Sequence, residues 1–188
     1  YRIHAFRADS TEPSGWPITN PGCYQSPFAA DVDQDGTFEV IMNDRTRIQI
    51  WERDGSQPVV ITLPQPADIS PRVLDVNNQP GLEIIVATGS VLRAYLPNGT
   101  QLQNAVWPKT LNGTITGFIA GELRNDGTLD LLAFTDPSAY LFDLSSRNLP
   151  KNQFWAVDYG TPGRTSRVDQ CVDGTVFGQC APGTPYQR

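Results

Sequence analysis

The sequence has few of the residues on which catalytic centres and nucleic-acid interfaces usually depend. Its 188 residues include one histidine, His4, and the 14 lysines and arginines are scattered along a chain of net charge −6. A single histidine leaves the Ser-His-Asp and Cys-His arrangements with one possible base, and no GxSxG motif supplies a nucleophile. Because its lysines and arginines are scattered, the chain lacks the clustered positive charge that binds nucleic acid. We therefore expect neither an enzyme nor a nucleic-acid partner for this chain.

Long hydrophobic runs are lacking as well. No stretch approaches the ~20 apolar residues that cross a bilayer, and residues 1–11 have no apolar segment of the signal-peptide kind. We expect no membrane span, and the absence of an initial methionine suggests a mature or excised part of a longer protein. Glycine and proline are plentiful, with 16 of each, which indicates many turns between short elements. The composition therefore favours the all-β class.

The cysteines and two sequons point to a compartment outside the cytoplasm. Cys171 and Cys180 lie nine residues apart in a glycine-rich tail, which favours a disulfide over a zinc site because no second Cys or His pair follows. Reduced thiols are the alternative, and Cys23 is either buried or paired with another chain. Asn98 and Asn112 each begin an N-x-T glycosylation motif in a turn-like context. We expect a secreted protein, either extracellular or on the cell surface.

A repeat with a period of about 45 residues organises the chain. Glu83 follows Glu39 by 44 residues, and Asp130 follows Glu83 by 47. The repeated segments are SPFAADVDQDGTFEVIM (26–42), SPRVLDVNNQPGLEIIVA (70–87) and TGFIAGELRNDGTLDLLAF (116–134). A second half-unit recurs as IQIWERDGS (48–56), LRAYLPNGT (92–100) and YLFDLSS (140–146), and YRIHAFRADS (1–10) has the same pattern.

Each unit has the pattern of about four short antiparallel strands. Runs rich in Val, Ile, Leu, Phe and Tyr are bounded by Asp-Gly, Asn-Gly or Pro turns. One small sheet of this kind cannot bury both of its faces and must stack on its neighbours. We therefore predict an all-β fold of β-propeller blades within a larger propeller. The predicted units are a partial blade (1–21), three full blades (22–67, 68–113 and 114–160) and a closing segment with a cysteine-containing tail (161–188).

The run DVDQDGTFEV at residues 31–40 predicts a metal site. Its three aspartates occupy alternate positions, and Gly36 permits a tight turn. Alternate carboxylates converge when the backbone curls, and a hard cation that takes six to eight oxygen ligands, above all calcium, makes this convergence favourable. An EF-hand would need a carboxylate at Met42 and flanking helices, so it is excluded. A plain acidic hairpin is the alternative, because Asp and Gly also favour turns.

These units resemble FG-GAP or VCBS-type repeats, the blades of integrin-α-like propellers and of many secreted microbial proteins. The resemblance covers residues 1–160. It rests on the DxDxDG run, on Ala29-Ala30 and on the GWP motif at residues 15–17, which is echoed by VWP at 106–108. The tail segment CVDGTVFGQCAPGTPY (171–186) is similar to the start of a cysteine-rich tail. The resemblance implies a calcium-stabilised module that other blades or chains complete, since closed propellers have four to eight blades.

The resemblance also implies which residues bind Ca²⁺. The first-loop ligands are the side chains of Asp31, Asp33, Asp35 and Glu39 and the backbone carbonyl of Thr37. The equivalent positions of the second loop are Asp75, Asn77, Gln79 and Glu83. Binding there should be weaker, because only two formal charges remain and Pro80 replaces the glycine. In the third loop Arg124 places a cation where a ligand should lie, so we expect no metal there.

The expected function is a non-catalytic extracellular module for adhesion, surface assembly or protein or glycan interaction. The alternative is an accessory domain of a larger secreted hydrolase or lyase, such as a subtilisin-like protease, whose catalytic part lies upstream of Tyr1. A carbohydrate surface lined by Trp16, Trp51, Trp107 and Trp155 is a third possibility. Packing between blades is the plainer explanation for most of these tryptophans, because they fall at or beside recurring blade positions.

Overall fold

The described part of the chain is built from strands. The computed structural model describes residues 2–19, 24, 27–56, 59–121, 123–124 and 126–144. These residues contain no helix, and so none that is long and apolar enough to cross a membrane. The strands are β1 (Arg2–Ile3), β2 (Ile18–Thr19), β3 (Phe28–Ala30), β4 (Glu39–Asn43), β5 (Arg47–Trp51), β6 (Val59–Thr62), β7 (Arg72–Leu74), β8 (Glu83–Thr88), β9 (Val91–Tyr95), β10 (Lys109–Thr110), β11 (Ile115–Gly121), β12 (Asp130–Thr135) and β13 (Ala139–Asp143).

Strands that are neighbours in sequence are neighbours in space. Strands β3–β6 form a four-stranded first blade, β7–β10 form a second, β11–β13 form the described part of a third, and β1 pairs with β2 as a separate two-stranded unit. All these pairings are antiparallel, as in propeller blades. The predicted all-β fold class is confirmed. The predictions for Cys23, Trp155, Cys171 and Cys180 concern residues outside the described part of the chain.

The middle blade is covered on both faces, and its sequence reflects this. Strand β8 has the sequence EIIVAT and is buried at all six positions. Strand β13, in contrast, alternates between exposed and half-buried residues. A strand that packs on both sides has no need for polar alternation. The two-residue turn after β8 begins with Gly89 at a φ of 60°, as a hairpin of this length favours.

Two hydrophobic clusters hold the blades together. One lies between the first and second blades and includes Ile41 and Ile84. The other lies between the second and third blades and includes Ile85 and Phe118. Successive residues Ile84 and Ile85 therefore face opposite neighbours, and both are 0% exposed. Burial of one such side chain contributes about 1.5–3 kcal/mol, so contact between blades is a main source of stability.

A backbone contact holds the two-stranded unit against the first blade. A Cβ atom on Gly15 would lie 1.7 Å from the carbonyl oxygen of Asp54, and one on Gly55 would lie 2.4 Å from the carbonyl oxygen of Gly15. Trp16 Nε1 also donates a hydrogen bond to the carbonyl of Arg53 at 2.9 Å. The GWP motif therefore fixes the start of the chain beside the β5–β6 end of the first blade.

Candidate functional site

A buried carboxylate at the start of the second strand recurs in all three blades. Glu39, Glu83 and Asp130 are at most 1% exposed, and each accepts a hydrogen bond from the backbone N–H seven residues earlier. The bonds are Val32 N to Glu39 Oε2 (2.7 Å), Val76 N to Glu83 Oε2 (2.9 Å) and Leu123 N to Asp130 Oδ2 (3.0 Å). Sequence reasoning identified Glu39 and Glu83 as candidate ligands and Asp130 as a position of the repeat, and it missed this role in closing the loop.

The first loop brings its four acids together. One oxygen each of Asp31, Asp33, Asp35 and Glu39 lies within 4.8 Å of the others. The loop's own backbone donates a hydrogen bond to one oxygen of each acid. The bonds are Gly36 N to Asp31 Oδ2 (3.2 Å), Asp35 N to Asp33 Oδ1 (3.2 Å), Thr37 N to Asp35 Oδ1 (2.7 Å) and Val32 N to Glu39 Oε2 (2.7 Å). The backbone thus orients the carboxylates and leaves oxygens for a ligand.

Two carboxylate oxygens of these four acids are buried without a hydrogen-bond partner. They are Asp31 Oδ1 and Glu39 Oε1. A buried acceptor that lacks a donor is costly, about 1–3 kcal/mol and more when it is charged. Among the described residues, no lysine, arginine or histidine forms an ion pair with the four acids. Four converging carboxylates with two unsatisfied buried oxygens fit a hard divalent cation that prefers oxygen ligands.

The electrostatics of the first loop reflect its crowded negative charge. Burial raises the pKa of Glu39 to about 7, and the nearby charges of Asp33, Glu52 and Asp31 add to the effect. Burial also raises the pKa of Glu52, with contributions from Asp33 and Asp35. Glu52 is therefore a fifth acid beside the loop that sequence reasoning missed. The hairpin register could have revealed it, because Val40 pairs with Trp51 and the preceding Glu39 then lies across from Glu52.

The second loop satisfies its buried acid internally. Asn77 Nδ2 donates a hydrogen bond to Glu83 Oε1 at 2.6 Å. Asp75 Oδ1 accepts bonds from the backbone N–H groups of Asn77 (3.2 Å) and Asn78 (2.7 Å). Gln79 N donates to Asn77 Oδ1 at 2.6 Å. The four residues of the predicted weaker site thus lie in one loop, but the amide of Asn77 is already bonded to the oxygen that a cation would use.

The first two loops contact each other across the blade boundary. Leu82 N donates to the carbonyl of Val32 at 2.7 Å, and Gly81 N donates to Gln34 Oε1 at 3.2 Å. Val32 and Gln34 alternate with the predicted calcium ligands. A cation in the first loop would therefore fix the backbone that the second blade uses as a hydrogen-bond partner.

An open groove lies between the two-stranded unit and the first blade. It has a volume of about 970 Å³, and its walls include His4, Phe6, Phe28 and Val40. The rings of His4 and Phe6 stack with centroids 5.9 Å apart, and Phe6 is 66% exposed. His4 Nδ1 lies 2.7 Å from Glu12 Oε1. The chain's single histidine is thus an exposed residue with a carboxylate neighbour.

The third blade carries an apolar face that no described residue covers. Ile119, Phe134 and Leu141 are 38%, 37% and 49% exposed. Leu132 pairs with both Ile119 and Leu141 and completes this row across the sheet. The opposite face, which carries Phe118, packs against the second blade. Within the described part of the chain, the sheet therefore has one covered and one open side.

The remaining predicted residues lie in turns or in packed positions. Asn98 and Asn112 are exposed, and Asn98 Oδ1 accepts a bond from Thr100 N at 3.0 Å. Their glycosylation stays a prediction. Trp107 is 2% exposed and belongs to the cluster between the second and third blades, so it packs against protein and does not line a surface.

Comparison with known proteins identifies the fold. No protein-family model and no curated protein matches the chain. A crystal structure of BBS1N in complex with ARL6DN, soaked with mercury, matches with a TM-score of 0.55 at 13% identity, over 76% of this chain and 44% of that one. The same complex soaked with lead matches with a TM-score of 0.50 at 16% identity, over 78% and 46%. The chain thus has the fold of part of a β-propeller and spans less than half the length of these BBS1N chains.

Proposed function

We propose that this chain is a sector of a larger, non-catalytic, extracellular propeller module that is stabilised by calcium and serves adhesion, surface assembly or another protein interaction. Its blades are of the FG-GAP or VCBS kind that the sequence resembles. The observation that carries the assembly function is the open apolar face of the third blade. A contiguous exposed patch of this type marks a surface that another protein element covers.

The register of the repeat identifies what covers the face. Counted from the buried acids, Leu132 corresponds to Ile41 and Ile85. Ile41 packs against the second blade and Ile85 against the third, and both are 0% exposed. The open face of the third blade therefore has the position that a following blade covers in the other two. The partner is a further blade, supplied by the rest of the protein or by another chain.

The groove at the other end supports the same interpretation. Strands β1 and β2 correspond to the last two strands of a blade, as β5 and β6 do in the first blade. The groove walls include Phe28 and Val40 from β3 and β4, the strands on which the first two strands of a preceding blade would stack. Among the described residues only two strands of a blade lie at this groove, and a β-hairpin of the same repeat would complete that blade. The BBS1N chains, at about twice the length covered here, were crystallised in complex with ARL6DN, which agrees with a protein partner.

Sedimentation of the 188-residue chain tests the assembly function. We expect concentration-dependent association, because an uncovered blade face favours contact with another chain. Leu141→Lys places a charge on the open face and should reduce the association. Val106→Lys is the matched control, because Val106 is similarly exposed, at 52%, but lies in a loop of the second blade. A compact monomer at all concentrations, or equal effects of both substitutions, would contradict the proposal.

Calcium is proposed for the first loop because of the four converging acids and their unsatisfied buried oxygens. A ligand that binds only the folded state raises stability by an amount that grows with the logarithm of its concentration relative to the dissociation constant. We expect calcium to raise the melting temperature of the wild-type chain and EDTA to reverse the increase. Asp33→Ala should lower the melting temperature in calcium and abolish the response to EDTA. An unchanged response in this variant would exclude the site.

A further inference from the structure

The buried acid has one carboxylate oxygen whose surroundings differ among the three equivalent loops. In each loop, backbone N–H donation satisfies one oxygen of the buried acid, and the loops differ in what contacts the other oxygen. In the first loop that second oxygen, Glu39 Oε1, has no partner. In the second loop the amide of Asn77 donates to Glu83 Oε1. In the third loop the guanidinium of Arg124 takes this place, with Nε 2.8 Å from Asp130 Oδ1.

Arg124 is surrounded by oxygens in the way that a bound cation would be. Its Nη2 lies 2.8 Å from Asp130 Oδ1, 3.0 Å from Asp143 Oδ2 and 3.2 Å from Asp126 Oδ2. The same nitrogen is 3.3 Å from Thr128 Oγ1. These oxygens come from the loop, from the start of β12 and from the end of β13. One side-chain cation thus joins three carboxylates from separate parts of the blade.

The strand register explains why a cation stabilises these carboxylates. Asp130 and Asp143 pair directly across β12 and β13, and like charges in that position repel. Asp130 is 0% exposed, so water screens little of its charge. The first blade has the same kind of acid pair, Glu39 and Glu52. Among the described residues neither acid pairs with an arginine, because Arg45 and Arg47 pair with Asp68 and Asp44. The second blade has Leu96 at the corresponding position, because Ile84 pairs with Tyr95.

We propose that Arg124 is a built-in substitute for the metal ion, so that the third blade is stabilised without calcium. The third loop is then a latent cation site, which becomes able to bind a cation when Arg124 is replaced by an acid. This inference rests on the calcium function proposed for the first loop. Arg124→Asp would remove the internal cation and add a carboxylate beside Asp126, Asp130 and Asp143. Four acids of the described residues, three from the loop and its β12 end and one from β13, would then lie near Gly127 and Thr128, which correspond to Gly36 and Thr37 of the first loop.

Calcium stoichiometry provides the test. Native mass spectrometry and calorimetric titration with calcium chloride should count one more bound Ca²⁺ in Arg124→Asp than in the wild-type chain. The melting temperature of the variant should fall by several degrees in EDTA and recover in calcium. If Arg124→Asp binds no more calcium than the wild type, the proposal of a latent site is wrong. If the wild type binds none and the variant binds one, the first-loop site fails while the present inference stands.

A second variant keeps the test decisive if Arg124→Asp does not fold. Arg124→Gln keeps the length and the hydrogen-bonding capacity of the side chain but removes its charge. We expect its melting temperature in EDTA to lie several degrees below that of the wild type, with no added calcium bound. Arg93→Gln is the matched control, because Arg93 contacts Thr88 within a hairpin of the second blade. An unchanged melting temperature for Arg124→Gln would overturn the assignment of Arg124 as a substitute cation.

Discussion

At the residue scale, three aspartates form the same local turn but have different surroundings. Asp9, Asp35 and Asp126 each accept hydrogen bonds from the backbone N–H and the hydroxyl of the threonine two residues later. These bonds lower the pKa of all three carboxyls. Only Asp35 belongs to the group of four converging acids, and only Asp126 lies beside an arginine in an ion pair. The turn alone therefore does not define a metal site.

Substitution of two of these aspartates separates the turn from the metal. Asp35→Ala and Asp9→Ala remove the same pair of local hydrogen bonds. We expect both variants to lose a similar amount of stability in EDTA. In calcium, Asp9→Ala should gain as much as the wild type, and Asp35→Ala should gain little or nothing. Thermal melts with and without calcium measure both effects, and an equal calcium response in the two variants would refute a role for Asp35.

The buried acids predict an unusual dependence of stability on pH. Burial is the main cause that raises the pKa of both Glu39 and Glu83 to about 7, above the value of about 4.5 expected in the unfolded chain. The folded state therefore binds more protons than the unfolded state between these pH values. The stabilisation that comes from this extra proton binding is fully present below about pH 4.5 and is lost as the pH rises through about 7.

We expect the melting temperature in EDTA to fall between about pH 5 and about pH 8. Glu83→Gln should remove roughly half of this slope, because one of the two groups no longer titrates. Calcium should stabilise more at the higher pH, where Glu39 is ionised and able to bind it. Melts over this range measure all three effects, and a wild-type melting temperature that rises with pH in EDTA would contradict the prediction.

At the scale of elements, the contact between the first two loops depends on a residue without a side chain. Gly81 has a φ of 91°, and a Cβ there would lie 2.9 Å from the Pro97 ring and 3.4 Å from the carbonyl of Val32. Gly127 has a φ of 79° with nothing within 4 Å of a Cβ. Gly127→Ala should cost about 1 kcal/mol for the backbone conformation. Gly81→Ala should cost about 2–4 kcal/mol, because the added methyl group also collides with the Pro97 ring of the same blade.

Chemical denaturation of the two glycine variants distinguishes these contributions. Equal losses of unfolding free energy would mean that the structure around Gly81 tolerates the added methyl group. The larger loss for Gly81→Ala would show that the close packing of Gly81 against Pro97 contributes to stability in its own right.

The elements also show where sequence reasoning succeeded and where it stopped. The buried acids Glu39, Glu83 and Asp130 recur at nearly fixed spacing, and this spacing located the second strand of each blade. The pairing of Arg124 with Asp143 could not be read from the repeat, because it depends on the register of β13 against β12. Likewise, Asn77 was expected as a ligand, whereas its amide donates to Glu83. A repeat predicts which positions are equivalent, and the neighbouring strands then decide what each position contacts.

At the scale of the whole molecule, the three loops imply an uneven response to calcium. The first loop has unsatisfied buried oxygens, and the third has Arg124 among its carboxylates. In hydrogen exchange, EDTA should increase the exchange of β3–β5 amides and leave those of β11–β13 nearly unchanged. The amides of Gly81 and Leu82 should respond with the first blade, because they donate to its loop. A uniform change across all blades would contradict this separation and indicate a single cooperative unit.

The bond from each buried acid to the backbone seven residues earlier has a consequence for how such a chain could diversify. This bond involves only the chain itself, so the loop keeps its shape whichever partner the second oxygen has. A duplicated blade could therefore replace a bound ion by an amide or a guanidinium through one substitution and keep its fold. The dependence of a propeller on its environment could then be set blade by blade, and a protein of this design could move between calcium-rich and calcium-poor surroundings through changes at single positions.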